Sequence, residues 1–246
     1  MKNIWKLFAV LVVAGGLAAC DKEEDKPVEE DIRFVDLGLS VKWAKCNLGA
    51  TSPEGYGDYF AWGETEPYYE EGNAQKTDRV IWKGGKALGY DWNSYRWCEG
   101  TYNSLLKYNN NGSFGVVDNK VFLDPEDDAA HVALGGDCRM PTPTEWEELA
   151  NTSNCKWEWT TLEGVPGCKV TSLKPGFTEN WIFLPAAGQR EGTSLLKLGE
   201  IGYYWSSWVD EPESRDISRI FLMYTPYYRT NYCSRHKGNS VRPVTD

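Results

Sequence analysis

The chain has 246 residues, 36 acidic against 26 basic side chains, a formal net charge of −10 and 14% aromatic residues. A balance that acidic argues against phosphate backbones and anionic membrane surfaces as electrostatic partners. The length allows one large domain or two small ones, and without a Ser/Gly-rich linker after Asp31 the reading is a single domain over 32–246.

Lys2 and Lys6 flank the start of an apolar run over 7–13, about the length of a signal-peptide core and short of the ~20 residues that span a bilayer. Leu17-Ala18-Ala19-Cys20 then resembles the bacterial lipobox, which implies that residues 1–19 are removed and that Cys20 is lipidated as the mature N-terminus. Acyl chains at ~0.8 kcal/mol per buried methylene would hold such a residue stably to a lipid bilayer. The alternative is an ordinary secreted protein cut near Ala19. Loss of Lys2 and Lys6 leaves 24 basic against 36 acidic side chains, a net charge of −12. Residues 20–31 read as an acidic tether containing Pro27, with almost nothing to bury. Cys20-Asp21-Lys22-Glu23-Glu24 also resembles the surface-export signal of Bacteroidetes lipoproteins, which implies an outer-membrane protein facing the cell exterior.

Phe34-Val35-Asp36-Leu37-Gly38 and Leu39-Ser40-Val41-Lys42-Trp43-Ala44 read as two short strands around a Gly turn. From Gly49 to about Lys120 the chain is rich in Gly, Asn, Tyr and Trp without sustained periodicity, which predicts long, irregular, ordered loops. Asp124-Pro125-Glu126-Asp127 predicts a helix start with Pro at the first helical position, a buried face of Ala130, Ala133 and Leu134, and a stop at Gly135-Gly136. Thr142-Pro143-Thr144-Glu145 is a capping box opening a second helix with a stripe of Trp146, Leu149 and Ala150. Strands are then expected over 156–161, 168–171, 181–184, 203–208, 219–223 and 240–244. Strands at both ends with two helices between them predict an α+β fold whose termini meet in one sheet.

Six cysteines remain beyond Cys20: Cys46, Cys98, Cys138, Cys155, Cys168 and Cys233. None forms the C-x-x-C spacing of a zinc ribbon or a thioredoxin-type site. Export permits disulfides, and Cys155 with Cys168, flanking an expected hairpin, is the local candidate. The competing reading is buried free thiols that pack as small hydrophobes.

Eight segments carry a family resemblance. Residues 34–44, Tyr56-Gly57-Asp58-Tyr59-Phe60-Ala61-Trp62-Gly63-Glu64, residues 123–130, Arg139-Met140-Pro141-Thr142, Glu145-Trp146, Ile182-Phe183-Leu184-Pro185-Ala186-Ala187-Gly188, Gly202-Tyr203-Tyr204-Trp205-Ser206-Ser207 and Ser240-Val241-Arg242-Pro243-Val244 resemble the Fibrobacter succinogenes major paralogous domain of Bacteroidetes lipoproteins. That family is similar in turn to the formylglycine-generating, sulfatase-modifying enzymes, whose Arg-Leu-Pro-Thr-x-x-Glu-Trp-Glu segment looks like residues 139–147. The resemblance implies a C-type-lectin-like fold with two short helices, twisted antiparallel sheets and long loops. It does not carry the catalysis, because those enzymes hold copper(I) with two C-terminal cysteines and only Cys233 lies in the final stretch here. Shared scaffold does not imply shared chemistry.

No catalytic residues are assigned. His131 and His236 lack a nucleophile and carboxylate arranged as a triad, and no phosphate-binding Gly loop or basic patch for nucleic acid is present. Calcium, which wants six to eight oxygens, is weighed at Asp124, Glu126, Asp127 and Asp128, where helix capping explains the same residues, and at Glu211-Pro212-Glu213 after Asp210, against an exposed acidic turn. No other cofactor is implied. The candidate ligand-binding residues are aromatic: Trp92, Tyr95 and Trp97 in the long insert, and Tyr224, Tyr227, Tyr228 and Tyr232 with Arg229 near the C-terminal strands. Their π-faces suit sugar rings or partner side chains, and the competing reading is that they build a core poor in aliphatic residues. The leading expectation is a non-catalytic, lipid-anchored surface protein that binds a glycan or a protein. The alternatives are an oxidase of the formylglycine-generator type with relocated cysteines, and a structural or tip subunit of a surface assembly.

Overall fold

The computed structural model describes residues 33–68, 89–209 and 216–246, together with the backbone of 81–82 and 86–87. Cys20, the tether at 20–31 and the acidic turn of Asp210 and Glu211-Pro212-Glu213 lie outside the described residues. Among the described residues the two ends of the domain share a sheet, as their short strands predict. β1 (Phe34–Val35) pairs antiparallel with β2 (Lys42–Ala44), whose other edge takes the C-terminal β13 (Val244–Thr245), with Val244 opposite Trp43.

Among its described residues the insert holds a two-stranded pair, β3 (Ile81–Trp82) with β4 (Lys86–Ala87), and otherwise turns, bends, isolated bridges and a 3-10 turn at Gly112–Phe114. Two helices follow. The first begins later than the sequence predicts: Pro125–Asp127 is a separate 3-10 turn, and α1 (Ala129–Leu134) starts from Asp128. The reason is local. Asp128 accepts from the amides of Ala130 and His131, whereas Asp124 makes no capping bond and turns instead to Lys107 and Lys120 at 2.6 and 2.5 Å.

α2 (Pro143–Ala150) has the expected capping box, and Arg139 reinforces it with two bonds to the Glu145 carboxylate, at 2.9 and 2.7 Å. The Arg-Met-Pro-Thr segment is thus a helix-start lock that fixes Trp146 in place. Trp146 is fully buried, with its ring stacked on Phe221 at 4.6 Å and its indole N–H donating to the Trp205 carbonyl at 3.2 Å.

The remaining strands form three antiparallel groups. β5 (Cys155–Leu162), β6 (Val165–Ser172) and β7 (Trp181–Pro185) make one sheet, β8 (Gln189–Glu191) pairs with β9 (Ser194–Leu196), and β10 (Gly202–Val209), β11 (Ile217–Tyr224) and β12 (Tyr227–Ser234) make another. Residues 32–246 cluster together as one unit, and two helices with several antiparallel sheets make the architecture α+β.

The β10–β12 sheet contributes to a core on each of its faces because successive side chains point to opposite sides. Tyr204, Phe221 and Met223 enter the core around α2, while Trp205, Val209, Ile220, Leu222 and Cys233 enter the core that contains Trp62, Tyr108 and Ala130. A third cluster in the insert gathers Tyr59, Tyr68, Tyr90, Tyr95 and Leu105.

The expected Cys155–Cys168 disulfide is not formed; both thiols are free and buried. Cys155 lies opposite Ser172 and Cys168 opposite Trp159. That four-residue offset puts the two Cα atoms roughly 14 Å apart, where a bridge needs them within ~7 Å. Burial raises the Cys155 thiol to about 11 and the Cys168 thiol to about 12, so both stay protonated as packing groups.

Candidate functional site

The face of the β10–β12 sheet that carries Phe221 beneath α2 continues beyond the helix to the half-buried Arg219 and the exposed Tyr232. Arg219 shares parity with Phe221 on β11 and Tyr232 with Tyr228 on β12, while Trp208 lies in the irregular stretch of β10 between Trp205 and Val209 and is placed by its ring's contact with Arg219. Residues 121–123 add to the outer edge of β10 through a Phe122–Trp208 bridge and bonds from the amides of Leu123 and Val209. Four neighbouring chain segments therefore each contribute one planar group.

Those groups form a ladder. Phe122 stacks on Trp208 at 5.6 Å with the planes 17° apart, the Arg219 guanidinium lies 6.0 Å from the Trp208 ring, and the same guanidinium lies 4.4 Å from the Tyr232 ring. Cross-strand aromatic and cation–π contacts order such side chains before any ligand arrives. The ends of the ladder are open: Phe122 is 50% and Tyr232 44% exposed.

Beside Phe122 a cavity of about 380 Å³ is lined by polar groups, among them His131, Asp137, Arg139, Thr142, Ser207 and Asp246. Arg139 is held by Glu145 and stands 3.6 Å from the Asp246 carboxylate. The His131 Nδ1 lies 3.2 Å from the Cys138 carbonyl. Ring faces next to carboxylates, a guanidinium and hydroxyls suit a ligand with both an apolar face and many hydroxyls.

The residues singled out from sequence are not one patch. Tyr95 is only 1% exposed and donates to the Trp62 carbonyl at 2.8 Å, so it is a core residue, and burial raises its hydroxyl well above the usual range. Trp92 is half-buried with its ring on His236 at 4.6 Å, and Trp97 donates to the Gly63 carbonyl at 2.6 Å under the side chains of Arg96 and Lys107. These three belong to the insert's own packing.

The C-terminal group divides between the two faces of β12, because its members sit on one strand with a period of two. Tyr228 stacks on Trp157 at 4.6 Å, and Tyr232 joins the ladder. Tyr227 and Arg229 lie on the opposite face, with Tyr227 5.2 Å from Tyr224 and the Arg229 guanidinium 5.9 Å from the Tyr227 ring. Phe122, Trp208 and Arg219 were invisible as site residues in sequence, since only strand register brings them together.

The acids weighed for calcium are engaged by donors of the protein itself, Lys107 foremost. Asp124 binds Lys107 and Lys120, Asp127 binds Lys107 and the Tyr108 hydroxyl, and Asp128 caps α1 while also accepting from the Met140 amide. The Lys107 bond holds the Asp124 carboxyl below its ordinary range, whereas burial raises that of Asp128. Among the described residues no three His, Cys, Asp or Glu side chains converge as a metal site. Cys233, the one cysteine of the final stretch, is buried with its sulfur accepting from the Gln189 amide at 3.0 Å.

Comparison with protein families, curated proteins and solved structures finds no match to this chain. The functional reading therefore rests on geometry and sequence pattern.

Proposed function

We propose that this protein is a lipid-anchored recognition module of the bacterial outer surface, without catalysis of its own, that binds a glycan through the ladder Phe122–Trp208–Arg219–Tyr232 and the polar cavity beside it. The lipobox at Cys20 and the acids that follow support the anchor and its outward direction. The motifs shared with the Fibrobacter succinogenes major paralogous domain family support a C-type-lectin-like domain, in keeping with termini that meet in one sheet.

One observation carries the choice of ligand. Exposed aromatic rings, preordered by stacking, lie next to a cavity of about 380 Å³ rich in hydrogen-bonding side chains. A sugar ring presents a patch of C–H groups to an aromatic face and its hydroxyls to carboxylates and guanidinium groups, which is the pairing this surface offers. A protein partner would find only a narrow strip on this face, since the other large exposed ring among the described residues of the sheet, Tyr227, lies on the opposite face of β12.

The test is a carbohydrate array probed with the purified full-length lipoprotein. The expected result is saturable binding to at least one glycan class, competed by the free sugar. A folded protein that binds no carbohydrate, but retains a stoichiometric protein partner from intact membranes, would overturn the glycan reading. Digestion by protease added to unbroken cells checks the outward placement.

A further inference from the structure

A second cavity, of about 470 Å³, opens elsewhere on the molecule and shares no lining residue with the first. Its floor and walls come from residues 44–51, from Leu134 at the end of α1 and from Pro243, with Arg33 and Phe34 at one side. Leu48, Ala50, Leu134, Phe34 and Pro243 give it a mainly apolar interior of the size that takes a small organic ligand.

The walls are rigid. The amides of Ala44 and Leu48 donate to the carbonyls of Pro243 and Val241, and Gly49 sits at φ +84, where an added Cβ would fall 2.3 Å from Asp58 Oδ2. Behind them Arg242 is fully buried and ties the segment together, donating to Asn47 Oδ1 at 3.0 Å, to the Ala44 carbonyl at 2.9 Å and to the Phe183 carbonyl at 2.7 Å.

All three acceptors of that guanidinium are neutral, and no carboxylate pairs with it among the described residues. A buried charge without a counter-ion leaves a positive field around it. That field reaches the cavity: burial raises the half-exposed Cys46 thiol, while Arg242 and, more weakly, Lys45 pull it down, with Glu54 opposing them. Lys45 is exposed at the cavity and makes no ion pair among the described residues. Among the described residues two basic and no acidic side chains line the space, in a chain whose acids outnumber its bases 36 to 26.

We propose that this cavity binds a small amphipathic anion, an alkyl or aryl carboxylate, with its apolar part among Leu48, Ala50 and Leu134 and its charge toward Lys45 in the field of Arg242. The site is separate from the glycan surface, and neither reading depends on the other.

The experiment uses the full-length lipoprotein with 4-phenylbutyrate as the probe and 4-phenylbutan-1-ol, its neutral analogue, at matched free concentration. Equilibrium dialysis reads binding, and the rate of Cys46 alkylation by iodoacetamide at alkaline pH, followed by peptide mass spectrometry, reads its place. The expected result is one saturable site with a dissociation constant on the order of 1 mM for the acid, as befits so small a ligand. Cys46 labelling should slow as the site fills, the alcohol should protect far less, and Lys45→Gln should weaken binding of the acid by about tenfold. Equal affinity for acid and alcohol, binding that leaves Cys46 labelling unchanged, or binding indifferent to Lys45→Gln would each overturn the proposal, as would no saturable binding at all. Should Cys46 label too slowly to follow, dialysis of wild type against Lys45→Gln decides.

Discussion

The sheet around α2 and the insert between Gly49 and Lys120 are both rich in aromatic residues, yet they are stabilised in different ways. In the sheet the backbone is satisfied mainly through ladders, as in the eight register pairs from Ile217↔Ser234 to Tyr224↔Tyr227, and rings such as Trp146, Tyr204 and Trp205 add single bonds to the carbonyls of Trp205, Pro185 and Phe60. In the insert, where ladders are scarce, the side chains do part of the backbone's work. Tyr59 donates to the Ala187 carbonyl at 2.5 Å, Tyr90 to that of Tyr59 at 2.5 Å, Tyr95 to that of Trp62 at 2.8 Å and Trp97 to that of Gly63 at 2.6 Å. Eight of the 14 tyrosines lie in the insert, against two of the eight phenylalanines. An irregular loop that is also ordered needs rings with a donor at the tip.

The sharpest way to break the comparison is at the hub of the sheet. Trp146→Ala removes a fully buried ring that touches Trp43, Tyr204 and Phe221, and is expected to cost about 3–5 kcal/mol. Denaturant unfolding should show both regions lost together, because the insert rests on the core that this sheet shares.

Acid tests the insert next. His236 packs on Trp92, with Lys237, Glu191 and Asp91 as the charges around it, and burial lowers its pKa from 6.5 to about 4. The folded state thus holds the imidazole neutral while the unfolded chain takes up a proton, so stability is full above pH 6.5 and falls as the pH drops from there toward 4. The loss attributable to this group approaches about 3 kcal/mol by the lower end of that window. His236→Phe, which keeps a ring on Trp92, should flatten that part of the profile; an unchanged slope would remove His236 as its source.

A smaller effect separates the regions most cleanly. Tyr95→Phe keeps the ring and deletes only its bond to the Trp62 carbonyl, at an expected cost of about 1–3 kcal/mol. Hydrogen exchange should quicken within the insert and stay unchanged in β10–β12. Uniform quickening would mean that the insert has no stability of its own to lose.

What sequence made legible follows from how local each signal is. The capping box of α2 and the existence of β5, β6, β7, β10 and β11 were readable because neighbouring residues encode them, whereas the meeting of the termini followed from the order of the elements. The start of α1 was misplaced by one turn, since the choice between Asp124 and Asp128 as cap depends on Lys107, distant in sequence. β12 went unread as a strand: Tyr-Tyr-Arg-Thr-Asn-Tyr-Cys-Ser alternates weakly because an edge strand over the end of a helix is half-exposed on both faces. The candidate site was the least legible part. Tyr232 was named, but Phe122, Trp208 and Arg219 lie 110, 24 and 13 positions before it and meet it only through strand pairing.

The central claim is that the recognition surface lies on the end of the sheet that carries Arg219 and Tyr232 and not on the aromatic insert. Its most direct test is glycan affinity of the doubly substituted Trp208→Ala, Tyr232→Ala protein beside that of Trp92→Ala, each checked for an unchanged near-ultraviolet circular dichroism baseline after allowing for the lost rings. Loss of binding in the first with retention in the second is the predicted result. Retention in the first with loss in the second would contradict it and move the site to the insert.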